Sequence, residues 1–125
     1  MKQMNIDTKV WLKNPRESNY PAAADYLDLL LPRNKVRAIV AALRKEKTVK
    51  KKAKDILRAS RLPLLPADNI HVQENIQKVK SGKKLSPVLL VRSPRLIVAD
   101  GYHRVCSIYY LSEDLEIPCR ITDLR

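Results

Sequence analysis

Two short leucine- and valine-rich runs, Pro87 to Val91 and Leu96 to Ala99, stand either side of Arg92-Ser93-Pro94-Arg95. That spacing suits a β-hairpin whose strands pair antiparallel. Directly after the second run comes Asp100-Gly101, and a helix-favouring stretch follows from Gly101 to about Leu111. A last strand uses Ile117, Cys119 and Ile121 at period two. Upstream, Asp68 or Asn69 can cap a helix to about Ser81, with Val72, Ile76 and Val79 inward and Gly82 just past its end. His71, Glu74 and Lys78 then share its polar face. Leu62-Pro63-Leu64-Leu65-Pro66 predicts an extended connection with an edge strand, since proline cannot donate to a sheet interior. The order from Leu62 is therefore strand, helix, hairpin, helix, strand.

The first 61 residues read differently. The opening twenty carry the only tryptophan, Trp11, and the turn-prone Asn14-Pro15 and Tyr20-Pro21 steps, so they predict a partly ordered extended arm. Pro21 to Leu31 favours a first helix closed by Pro32. A second begins near Asn34, with Val36, Ile39, Val40 and Leu43 on one stripe. A third is predicted from Thr48, with Val49, Ala53, Ile56 and Leu57 on one side and Lys50, Lys51, Lys54 and Arg58 on the other. The expectation is an α+β protein: residues 1–61 as an arm and basic helical extension, residues 62–125 as a module, packed as one unit.

The 125-residue length fits one core of ordinary domain size, roughly 100–150 residues. No apolar stretch approaches the roughly 18 residues of a membrane span, and Met1 to Lys13 lacks the apolar core of a secretory signal. A cytoplasmic protein with no membrane partner is expected. Cys106 and Cys119 lack the spacing of a zinc or dithiol motif and read as buried small hydrophobes, with a redox role as the alternative.

Twenty-five basic against 13 acidic side chains give a formal charge of +12, which favours anionic partners such as nucleic acid, nucleotides or acidic proteins. From Arg33 to Arg61 there are 12 Lys and Arg against only Glu46 and Asp55, an excess of +10. A merely solvated helix face usually mixes signs. Lys50, Lys51, Lys54 and Arg58 are therefore candidates for DNA or RNA phosphates, although the aromatic interleaving of single-strand binders is lacking.

Gly101 is one of only two glycines, and it stands where a strand stops and a helix starts. A glycine there lets a phosphate approach bare N–H groups at the positive end of a helix, with His103 and Arg104 adding donors. The alternative is a simple turn, with His103 bonded to backbone and Arg104 paired to a carboxylate such as Asp100.

Over roughly Leu62 to Thr122 the order of elements and their residues resemble the ParB/sulfiredoxin superfamily. Gly101-Tyr102-His103-Arg104 resembles the sulfiredoxin Gly-Cys-His-Arg loop and, more loosely, the Gly-Glu-Arg-Arg loop of ParB. His71-Val72-Gln73-Glu74-Asn75-Ile76-Gln77-Lys78-Val79 resembles the sulfiredoxin helix facing ATP phosphates. Leu85-Ser86-Pro87-Val88 and Ile117-Pro118-Cys119 resemble the family's hairpin entry and closing strand. The resemblance implies a small mixed sheet with helices that binds a nucleotide, ATP or CTP, with Mg²⁺. Its carried-over binding residues are Asp100, Gly101, Tyr102, His103 and Arg104, with His71 and Lys78 on the opposite wall. Glu74 departs from the usual hydroxyl residue; it suits a Mg²⁺ ligand or a general base beside His103, or simply a solvated face. A phosphotransferase or nucleotide hydrolase is the leading expectation, and a nucleic-acid-binding or nucleotide-sensing regulator without turnover is the other. Tyr102 stands where sulfiredoxin has its reacting cysteine, which argues against sulfinic acid reduction. The helix-turn-helix domain and dimerisation tail of ParB are missing, which argues against a partition clamp.

Overall fold

The unbroken apolar run at Val88 to Val91 becomes a strand buried on both faces. In the computed structural model, which describes residues 10–124, these four residues are at most 0% exposed. Val88 and Leu90 join one core and Leu89 and Val91 another, on opposite sides of the sheet. Strands covered on both faces read as continuous hydrophobic runs rather than alternating ones.

The described residues form five helices and four strands: α1 (Asn19–Leu27), α2 (Arg33–Lys45), β1 (Val49–Lys52), α3 (Ala53–Ser60), α4 (Ile70–Lys80), β2 (Val88–Ser93), β3 (Arg95–Asp100), α5 (Tyr102–Leu111) and β4 (Glu116–Asp123). The sheet order is β1-β4-β2-β3, with β2 and β4 parallel and the other pairs antiparallel. The α+β class and the antiparallel hairpin are as expected from the sequence. Pro118, which has no N–H to donate, precedes by one residue the β4–β2 ladder that starts at Cys119↔Val88.

One core unites α3, α4, α5 and Trp11 over Val88, Leu90, Ile117 and Cys119. The other seats Tyr20, Ala23 and Leu27 of α1 and Val36, Ile39 and Leu43 of α2 on Leu89, Val91 and Ala99. Arg120 of β4 ties the second layer down. Its guanidinium donates to the carbonyl oxygens of Arg44 (2.9 Å) and Leu43 (3.4 Å), to Tyr20 Oη (3.1 Å) and to Asn14 Oδ1 (3.0 Å).

Three sequence expectations need correction. Residues from Val49 form a strand before the third helix, so α3 starts at Ala53 and Val49 is 41% exposed. The reason is β4, whose outer edge needs a partner: Val49, Lys50, Lys51 and Lys52 face Cys119, Pro118, Ile117 and Glu116. The backbone N–H groups of Ala53 and Lys54 then donate to the carbonyls of Leu115 (3.0 Å) and Glu113 (3.1 Å), which anchors the first turn of α3.

Leu62 to Pro66 forms no strand. The hydroxyls of Tyr102 and Tyr110, both on α5, donate to the carbonyls of Pro63 and Leu65, acceptors that a neighbouring strand would otherwise use.

The arm is also more firmly built in than expected. Trp11 is 2% exposed, and Leu12 N donates to Leu85 O (2.8 Å) while Leu85 N donates to Val10 O (2.6 Å). Residues 1–9 of that arm lie outside the described residues. Because β1 pairs with β4 and α3 shares the core of α4 and α5, the sheet crosses the boundary drawn at residues 61/62. Among the described residues no helix is long and apolar enough to cross a membrane.

Candidate functional site

The hairpin, the helix before it (α4) and the helix after it (α5) converge on the Gly101 turn. Leu89 faces Asp100 while Leu90 faces Val98, so Ala99 is an extra residue and β3 is bulged just before the turn. Bulges re-aim the chain beside a site in this way. Gly101 has φ of 115°, and a Cβ there would lie 2.4 Å from Val88 Cγ1 and 2.9 Å from Arg104 Nη2. Both the backbone angle and the space therefore demand glycine. Gly101 is also the N-cap of α5, and no side chain caps it. Among the described residues the first-turn N–H groups of α5 have no side-chain acceptor, and the positive end of the helix dipole faces the cleft.

Helix α4 forms the facing wall. Asn69 Oδ1 accepts from the backbone N–H groups of His71 (3.0 Å) and Val72 (3.2 Å), which sets the helix start as its sequence predicts. Buried Ser107 of α5 reaches Val72 O (3.1 Å) and His103 O (2.7 Å), so α4 and α5 are held in register at the cleft.

Between these walls lies a pocket of about 290 Å³ lined by His71, Glu74 and Asn75 of α4 and by Asp100 through Arg104. The His71 and His103 rings meet edge to face, 4.9 Å between centroids and 68° apart. His71 Nδ1 lies 3.7 Å from Glu74 Oε2. Burial, helped by the charges of His71 and Arg104, holds the His103 imidazole below its ordinary pKa. Burial also raises the Tyr102 phenol, which stays neutral.

Of the residues expected at the site, His71, Glu74, Asp100, Gly101, Tyr102, His103 and Arg104 line this one pocket. Lys78 does not; it is exposed, one helical turn beyond Glu74. Asn75 was missed by the sequence reading, although it lies four residues from His71 and so shares its face. Arg104 takes the alternative role foreseen for it: Nη2 donates to Asp100 Oδ2 at 2.9 Å, and both side chains are less than one-fifth exposed. It also reaches Pro87 O at 3.5 Å, while its buried Nε has no partner among the described residues. Arg104 thus braces the turn against the start of β2. Tyr102 is likewise engaged, through its hydroxyl on Pro63 O.

Apart from the two imidazoles, the formal charges of the lining are one guanidinium against two carboxylates. Among the described residues no group of three or more His, Cys, Asp or Glu could hold a metal ion. The Glu74 carboxylate and Asn75 amide are nevertheless oxygen donors of the kind Mg²⁺ accepts, and this ion needs only one or two protein ligands when phosphates supply others. Burial raises both thiols away from the cleft, Cys119 to about 12, which leaves them unreactive.

The basic candidates do not form the single helix face expected of them. Lys50 and Lys51 are successive residues of β1 and point to opposite sides of the sheet. On α3, Lys54 pairs with Asp114 (2.8 Å) and Arg58 with Asp55 (3.5 Å), which offsets their charge locally. No family model, no curated protein and no solved structure matches the chain.

Proposed function

We propose that the cleft between α4 and the Gly101 turn binds the phosphates of a nucleoside triphosphate, ATP or CTP, as its Mg²⁺ complex. The observation that carries this reading is the uncapped start of α5 behind a glycine that leaves its backbone bare, opposite the His71–Glu74 pair. Phosphate oxygens would take the free N–H groups of the first turn and a hydrogen bond from His103. Mg²⁺, held by those phosphates and by Glu74, would neutralise charge in a pocket whose own lining carries one positive group against two negative ones. A cation bound with the phosphates would offset that negative balance. The resemblance to the ParB/sulfiredoxin superfamily supports the same ligand class.

With the triphosphate seated, the chemistry open to this chain is phosphoryl transfer or hydrolysis, which needs mainly positioning and charge neutralisation. Glu74, exposed beside His71, is placed to take a proton from an incoming hydroxyl or water. Tyr102 offers no thiolate, so reduction of a sulfinic acid is outside its range.

A thermal-shift panel of ATP, CTP, GTP and UTP, each with and without Mg²⁺, tests the reading. At 100 times Kd a ligand adds about 2.7 kcal/mol of stability. The expected result is a Mg²⁺-dependent rise in Tm that His71→Ala and His103→Ala abolish. No rise with any nucleotide, or an unchanged rise in both variants, refutes the assignment. Measuring nucleoside diphosphate release then separates turnover from sensing.

A further inference from the structure

Three of the twelve cations between Arg33 and Arg61 meet where β1 joins the sheet. Lys45 ends α2, Lys47 follows in the connection, and Lys51 projects from β1. Together with Arg92 of β2, these cations line a hollow of about 500 Å³ floored by Val49 and Ile121. Register explains the convergence. Val49 and Lys51 lie opposite Cys119 and Ile117, and Arg92 is two residues beyond Leu90, the partner of Ile121, so all of them share one sheet face. The helices of that face cover its centre and leave this end open: Val49 is 41% exposed. Among the described residues Glu46 is the only carboxylate in the lining, and Arg92 is paired at 3.2 Å with Asp123 outside it.

We propose that this hollow is a docking surface for the phosphodiester backbone of a nucleic-acid strand, separate from the nucleotide cleft. The two sites lie at opposite sheet edges, since β1 is one edge strand and β3, which leads into the Gly101 turn, is the other. A partner with one negative charge per nucleotide matches an excess of +10 spread over 29 consecutive residues better than a mixed-sign protein surface does. The alkyl stems of the lysines and the Val49–Ile121 floor give sugars and bases apolar contact. No aromatic ring lines the hollow, so base stacking contributes nothing and binding ignores sequence. The surface is thus assigned to Lys45, Lys47, Lys51 and Arg92, which line one hollow, rather than to Lys54 and Arg58, which lie outside it and pair with Asp114 and Asp55.

Fluorescence anisotropy with a labelled mixed-sequence oligonucleotide, single-stranded and as its duplex, over a range of salt concentrations, decides the matter. Four phosphate contacts give a log–log salt slope of about −2.8 on the single strand and about −3.6 on the duplex. The combined Lys45→Gln, Lys47→Gln, Lys51→Gln and Arg92→Gln variant should bind at least about tenfold more weakly at low salt, with a shallower slope. The Lys54→Gln, Arg58→Gln variant should stay within about twofold of the parent. Should the fourfold variant melt early, Lys47→Gln with Lys51→Gln alone tests the same surface, and should halve the slope. Three results overturn the proposal: no binding by the parent at low salt, equal binding by parent and hollow variants, or competition by poly-glutamate as effective as by unlabelled oligonucleotide.

Discussion

At Gly101 the backbone angle and the neighbouring atoms make the same demand, and they make it independently. Alanine there would have to hold φ near 115° and place its Cβ 2.4 Å from Val88 Cγ1, where the strand is fully buried and cannot retreat. Strain of about 1–3 kcal/mol for the angle adds to about 1–3 kcal/mol for overpacking. Gly101→Ala should therefore lower stability by about 2–6 kcal/mol, read from the midpoint of urea unfolding; a loss under about 0.5 kcal/mol would mean that the turn relaxes freely. His103 makes a different prediction. Burial first, then His71 and Arg104, lower its pKa in the folded chain. The unfolded chain therefore binds the proton first as pH falls, and the stability this residue contributes is complete above the ordinary value of about 6.5 and lost as pH drops through it toward the folded pKa. Tm should fall between about pH 7 and pH 5 in the parent, and His103→Gln should flatten that part of the profile. The sequence pointed to Gly101, His71, Glu74 and His103 because a lone glycine between strand and helix, and a polar stripe on a capped helix, are local patterns. Asn75 went unread because a neutral amide among charged neighbours carries no signal until the facing wall is known.

Among the elements, α4 was legible in detail because its determinants are its own: Asn69 accepts two backbone N–H groups at its start, and Gly82 follows its end with φ of 82°. The hairpin was legible for the same reason. The segment around Thr48 was not. Lysines at 50, 51 and 54 suit a solvated helix face and a solvated edge strand equally well, and the four residues of β1 are all exposed. What decides is β4, whose outer edge would be left with unpaired backbone groups without them. A lysine-rich strand also suits an edge, where charge discourages pairing with another chain. Conversely, Leu62 to Pro66 has an apolar, proline-punctuated pattern that suits an edge strand, yet two tyrosines of α5 claim its carbonyls.

For the molecule as a whole, the decisive feature is that β2 is buried from both sides. Residues 62–125 alone would lack β1 and α3, and would expose Leu89, Val91 and Ala99, the face that Tyr20, Leu27, Ile39 and Leu43 now cover. A chain cut before residue 62 should therefore show no cooperative thermal transition by circular dichroism; a sharp transition near that of the full chain would mean that the second layer is dispensable. The sequence by itself determined the α+β class, the hairpin, the capped helix α4 and the glycine turn, because each depends on periodicity, capping or backbone freedom within a few residues. Only the tertiary structure decided that the basic segment supplies an edge strand, that Trp11 belongs to the core, that Arg104 braces Asp100, and that Lys45, Lys47, Lys51 and Arg92 meet beside β1. Those outcomes depend on which backbone groups and charges from distant parts of the chain meet and satisfy one another, and no local pattern encodes that.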